Sequence, residues 1–347
     1  MNALKTVTTA VVLALAAITM ASAASDYAMS PTPEDQKWLL PATPPAPADN
    51  QPNAARVELG KMLFFDPRLS SDSNMSCASC HSPLFGWSDG LGTARGTKSK
   101  VLGRASPTVV NTGYNTIHMW DGRKATLEDQ AMGPMESMDE MAMDLSALFK
   151  WLNTSPGYQT AFKKAYPGEA IDAKTLSKSI ASFERTVVSN ESPFDRWLHG
   201  DAKAMTAEQV RGFRLFTDAG KGNCAACHQA PNFTDNGFHN IGLASYDKPS
   251  PDVGRFAIKP VKSLKGAFKT PTLRDIELTA PYFHDGSAKT LMEVVEHYNR
   301  GGVSKTDLSP EMKPLNLTRE EMQAIVAFMQ ALTTPPKPFT LPALPPQ

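Results

Sequence analysis

The sequence predicts a mainly α-helical chain built as two tandem copies of one module. Three observations predict this. Gly60-Lys61-Met62-Leu63-Phe64-Phe65-Asp66 matches Gly212-Phe213-Arg214-Leu215-Phe216-Thr217-Asp218, and each copy precedes a pair of cysteines. A second ordered match pairs Pro107-Thr108 with Pro271-Thr272, Asp121-Gly122 with Asp285-Gly286, and Thr126-Leu127 with Thr290-Leu291. A third pairs Ile180 and Phe183 with Ile325 and Phe328. The hydrophobic spacing is helical over Val57–Phe65, Ser146–Leu152, Leu176–Val188, Ala207–Phe216, Leu291–Tyr298 and Arg319–Leu332, with no sustained alternation of the strand type.

The elements follow in order. Residues 1–23 read as a secretory signal peptide: Lys5 is the positive start, Ala10 to Ile18 is apolar but too short to span a bilayer, and Ala21-Ser22-Ala23 is a small-residue cleavage site. A bacterial protein with this leader is expected in the periplasm. Residues 24–56 form a proline-rich extension, with an extended linker at 40–53 expected on the surface. The first module is expected over 57–200 and the second over 201–334. A proline-rich tail, also expected on the surface, closes the chain at 335–347.

The 347 residues carry 35 basic and 35 acidic side chains. This balance argues against a nucleic-acid partner. Loss of the leader removes only Lys5, leaving 34 basic residues against 35 acidic and a net charge of −1. No strong global steering of a charged partner is expected.

Cys77-Ala78-Ser79-Cys80-His81 and Cys224-Ala225-Ala226-Cys227-His228 both fit Cys-x-x-Cys-His. This spacing lets two thiols add to the two vinyl groups of one haem while the adjacent histidine reaches the iron. A single copy would also suit half a zinc site or a redox dithiol; two copies, each with its histidine, point to two covalently bound haem c groups. They consume every cysteine, so no disulfide is expected.

The sixth iron position decides between electron transfer and reaction with peroxide or O₂. On the helix at 291–298, Leu291, Val294, Val295 and Tyr298 share one face. Tyr298, His297 and Met312 are the candidates for the second iron. In the first module, the position matching Tyr298 is Pro134, which cannot ligate. Around it lie Gln130, Glu136 and Glu140, suited to hydrogen bonding and proton transfer, and several methionines. Met135 and Met138 remain candidate ligands there; the alternative for these thioethers is adaptable packing.

Residues 57–333 resemble the bacterial di-haem cytochrome c peroxidases and their MauG-like relatives. The resemblance rests on Leu59-Gly60-Lys61-Met62-Leu63-Phe64-Phe65-Asp66-Pro67-Arg68-Leu69-Ser70, Ser106-Pro107-Thr108-Val109-Val110-Asn111, Trp120-Asp121-Gly122-Arg123, Gln130 with Gly133-Pro134 and Glu140-Met141, and Pro281-Tyr282-Phe283-His284-Asp285-Gly286. It implies two cytochrome c-type domains, with the active site in the first. It implies that Glu140 is the acid–base carboxylate, Gln130 its distal partner, Trp120 an electron relay between the haems, and Arg255 a neighbour of the second haem.

Three departures qualify the resemblance. The peroxidase branch supplies a removable histidine after the first motif, but no histidine lies between His81 and Arg104 here. The first iron is therefore expected open, without reductive activation. Tyr298 stands where that branch has methionine on the second haem, as in the MauG-like branch. The family's calcium site uses an asparagine where this chain has Ala105, although Thr279 and Pro281 persist as backbone oxygen donors.

The implied activity is reduction of hydrogen peroxide with electrons from a small c-type cytochrome or cupredoxin. The alternatives are MauG-like oxidation of Trp or Tyr residues in a partner protein, or electron transfer alone. The family is often dimeric, but no residue here points to a homodimer surface.

Overall fold

The computed structural model describes residues 28–346; the leader expected at 1–23 lies outside them. Among the described residues, no helix is long and apolar enough to cross a membrane. The fold is mainly helical, with one two-stranded antiparallel pair, β1 (Phe238–His239) and β2 (Phe268–Lys269).

Each half is organised around one crossed pair of helices. In the first, α1 (Ala54–Phe65) packs on α6 (Ala173–Glu184); in the second, α8 (Ala207–Thr217) packs on α10 (Arg319–Gln330). The sequence repeat explains the crossing. A Cβ on Gly60 would overlap the Ser179 carbonyl, and one on Gly212 would overlap the Ala324 carbonyl. Phe183 and Phe328 close the same contact in the two halves. The backbones touch because glycine stands at the crossing.

Leu59, Leu63, Phe64, Leu176 and Ile180 anchor the first core, and Phe213, Phe216, Phe233 and Phe328 the second. Between α1 and α6 come the one-turn α2 (Cys77–Cys80), α3 (Leu127–Glu136), α4 (Leu145–Thr154) and α5 (Pro156–Ala165). The short α7 (Pro193–Leu198) precedes α8, and α9 (Leu291–Asn299) lies between β2 and α10. The repeated threonines are N-caps: Thr126 accepts from Asp129 N at 3.1 Å and Thr290 from Glu293 N at 3.2 Å.

Two expectations need correction. The helix expected to reach Val188 ends at Glu184. Asn111 then takes the chain, its N–H donating to the Val187 carbonyl at 2.9 Å and its side chain accepting from Ser189 N at 2.9 Å. The linker at 40–53 is not wholly superficial either. Asn50 is fully buried, donating to Glu128 and to the Lys178 carbonyl.

The halves meet through a reciprocal pair of backbone hydrogen bonds. Ala105 N donates to the His284 carbonyl at 2.7 Å, and Lys269 N to the Trp120 carbonyl at 2.8 Å. Ala105 matches Lys269 in the repeat, and Trp120 matches His284, so the junction has approximate two-fold symmetry. The residues before them, Met119 and Phe283, share φ near 70°. The two rings meet edge to face at 6.3 Å.

Candidate haem sites and peroxide pocket

Both Cys-x-x-Cys-His segments open onto one cavity of about 730 Å³. Cys77 and Cys80 sit on α2, while Cys224 begins a single 3₁₀ turn. His81 and His228 each follow directly. His81 Nδ1 donates to the Trp87 carbonyl at 3.3 Å, and His228 Nδ1 to the Phe233 carbonyl at 2.9 Å. Burial holds both imidazoles below the usual histidine range, so they stay neutral. A neutral ring with Nδ1–H engaged keeps its Nε2 lone pair for a metal.

The thiols also fit haem better than a thiolate site. Burial pushes Cys80 up to about 11 and Cys224 up to about 12, and raises Cys77 further. A zinc site or reactive dithiol needs the opposite shift. Cys227, Asp235 and His239 come within 4.8 Å of one another. His239 Nε2 is already bound to Asp235 at 2.8 Å, and Cys227 belongs to the attachment motif, so we assign no separate metal there.

The faces opposite the proximal histidines differ. On α9, Leu291, Val294, Val295 and Tyr298 all line the cavity. On α3, the matching Leu127, Gln130, Ala131 and Pro134 line it too. Tyr298 is half-buried beside Cys224 and Cys227; desolvation raises its phenol and keeps it protonated in the absence of a metal, and its hydroxyl has no hydrogen-bond partner among the described residues. Met312 also lines the cavity. His297 does not: it is buried, with Nε2 on the Ile241 carbonyl at 2.8 Å.

Glu140, Gln130 and Trp120 all face the cavity. Burial is the largest influence on Glu140 and raises its carboxyl, opposed by Arg123. Gln130 Nε2 lies 3.8 Å from Met119 Sδ, the one partner of its side chain among the described residues. The amide is thus weakly held and turned inward. Trp120 Nε1 donates to the Ala105 carbonyl at 2.9 Å, which fixes the indole at the junction.

Arg255 is engaged with the first half of the chain. It does not line the cavity; its Nη1 donates to the Asp121 and Gly122 carbonyls at 2.8 and 2.6 Å. It steadies the Trp120 turn from the second half. Among the methionines, Met135 is fully buried in the core, while Met138 is exposed. Neither lines the cavity.

Two cavity residues were not foreseen. Lys269 is buried, with Nζ on the Thr270 carbonyl at 2.7 Å, and burial lowers it to about 8. Glu184, on α6, is 4% exposed, has one carboxylate oxygen without a partner, and is pushed up to about 8 by burial. Nothing in helical periodicity separates Glu184 from an ordinary polar position.

A helical pair of domains, each with Cys-x-x-Cys-His opening on a shared cavity, defines a di-haem c-type protein. Residues 54–203 match the model for "Di-haem cytochrome c peroxidase" and residues 209–333 that for "Cytochrome c". The chain belongs to the di-haem cytochrome c peroxidase and MauG family, a family of oxidoreductases whose cofactor is haem c. It is 44% identical to methylamine utilization protein MauG of Methylorubrum extorquens, over 89% of this chain and 87% of that one. It is 37% identical to cytochrome c551 peroxidase of Nitrosomonas europaea, over 87% of each. A solved MauG-like protein associated with microbial copper homeostasis superposes with a TM-score of 0.79 at 30% identity, covering 85% of this chain and 95% of that one.

Proposed function

We propose that this chain reduces hydrogen peroxide to water in the pocket between His81 and α3. Electrons would enter from a small c-type cytochrome or cupredoxin through the second domain. The observation that carries the reading is Pro134, which occupies the ligand position of Tyr298 and brings Gln130 and Glu140 with it. Haem c, attached through Cys77/Cys80 and Cys224/Cys227, would supply the redox-active iron in each domain.

The protein's own part is positioning and proton movement. The Gln130 amide, loosely held, is free to hydrogen-bond and orient the peroxide. Glu140, whose carboxyl burial raises, would take a proton from one peroxide oxygen and deliver it to the other, so that water leaves. Reduction of one peroxide to two waters also consumes two electrons and two protons. Trp120, hydrogen-bonded at the junction, lies on the short route between the domains.

A second reading, oxidation of Trp or Tyr in a partner protein, is favoured by Tyr298. Anionic oxygen ligation favours ferric iron and suits storage of oxidising equivalents on both haems. Peroxide turnover with reduced cytochrome c, measured without pre-reduction, separates the two. Rapid cytochrome oxidation supports the peroxidase. A long-lived oxidised state with little cytochrome oxidation supports the second reading.

The leader-like residues 1–23 support a periplasmic location. The Thr279 and Pro281 carbonyls remain oxygen donors for calcium. Ala105 adds no side-chain ligand, so binding would be weak. A homodimer remains a proposal from the family alone.

A further inference from the structure

Each proximal histidine is held by the carbonyl of a residue in the left-handed backbone region. Trp87, with φ of 62°, holds His81; Phe233, with φ of 55°, holds His228. Bulky side chains rarely adopt this conformation, and it persists only where packing enforces it. Each domain's own core supplies part of that packing, through Phe64, Phe65 and Phe183 around Trp87 and through Phe194, Phe216 and Phe328 around Phe233; the two chain ends supply the rest.

The N-terminal extension crosses to the second domain. Trp38 is 2% exposed and lies 4.6 Å from the Phe233 ring, with Phe213 and Phe216 behind it. Asp35 pairs with Arg214 at 2.7 Å, and the Trp38 carbonyl accepts from buried Arg274 at 3.2 Å. The C-terminal tail does the converse. Phe339 lies 5.3 Å from Trp87, edge to face, and 5.3 Å from Phe65, with Lys61 Nζ 4.3 Å from its centroid. Farther on, the Pro345 carbonyl accepts from Arg68 at 3.0 Å.

We infer that the two proline-rich ends are exchanged straps, and that Trp38 and Phe339 are positioning residues that set the proximal histidine of the domain opposite in sequence. Proline suits a strap, because little chain entropy remains to be lost when it docks. The straps differ in grip. Trp38 is sealed into the core, whereas Phe339 is 38% exposed and packs against few rings. The first domain's histidine is therefore held by the looser strap.

The inference rests on His81 and His228 being axial ligands, and its test separates the two claims. Resonance Raman spectra of the ferrous holoprotein would be recorded for wild type, Phe339→Ala, Trp38→Phe and, as a control in the same tail, Leu341→Ala. Phe339→Ala should shift the iron–histidine band of the first haem alone. Trp38→Phe, which keeps an aromatic ring in the core, should change only the second haem, read from its EPR g-values and midpoint potential. Leu341→Ala should change neither. A first-haem band unmoved by Phe339→Ala overturns the strap role, as does a shift confined to the second haem. Absence of any iron–histidine band in wild type would instead overturn the ligand assignment.

Discussion

Pro134 and Tyr298 occupy the same place on matching helices of the two domains. Both line the shared cavity at the last of four equivalent positions. In the second domain that position carries an unpartnered phenol; in the first it carries a ring with no donor atom. On the proposed reading, this one difference would separate a closed electron-transfer iron from an open reactive one.

Tyr298→Phe should therefore alter the optical and EPR signature of the second haem and leave the first unchanged. His297 is already committed to the Ile241 carbonyl, so an unchanged second haem would point to Met312.

Glu140→Gln removes the proton carrier but keeps shape and hydrogen bonding. It should slow the peroxide reaction by about 10²–10⁴-fold with both haem spectra retained. The acid limb of the rate–pH profile should disappear with it. Stopped-flow mixing with peroxide over a pH series measures both effects, and an unchanged rate would remove Glu140 from the mechanism.

Trp120→Phe deletes the indole N–H that reaches the Ala105 carbonyl. The haem spectra should persist while electron transfer between the domains slows. Flash reduction of the second haem, followed by re-equilibration with the first, reads the rate directly. An unaltered rate would make Trp120 a structural anchor only.

Gly60→Ala and Gly212→Ala place a methyl group into a facing carbonyl at the helix crossing. Each should lower stability by about 1–3 kcal/mol or more, in its own domain. Chemical unfolding followed at the two haem bands separately would show which domain loosens. Equal loss at both bands would contradict a domain-local effect.

Glu184 gives a pH dependence with a definite sign. Its folded carboxyl titrates at about 8 against a reference of 4.5. The folded chain then holds the proton more tightly than the unfolded chain. Stability is lost as pH rises from the lower value to the upper. Glu184→Gln should flatten this slope and stabilise the protein at pH 8 relative to wild type. A denaturant series at several pH values checks it; identical slopes would mean that the carboxyl is already ionised in the fold.

Much of this was readable in the residues because duplication makes signals cross-check one another. Gly60 with Gly212, and Thr126 with Thr290, repeat the same backbone task, so each copy supports the other. The two attachment motifs were legible because their spacing is covalent chemistry rather than packing. Helix α3 was not, because Gly133 and Pro134 both disfavour a helix that tertiary packing nonetheless holds. The contact of Arg255 was not legible either: two carbonyls of a distant turn recruit its guanidinium, and no local pattern signals that. The straps were invisible because proline-rich composition announces an extended chain but not the surface on which it lies.

The central claim is that the first iron is open to peroxide in the oxidised resting protein. EPR of the as-isolated ferric holoprotein, followed by peroxide addition without any reductant, tests it most directly. One high-spin signal, one low-spin signal, and loss of the high-spin signal on mixing are expected. Two low-spin signals that ignore peroxide until one haem is reduced would contradict it.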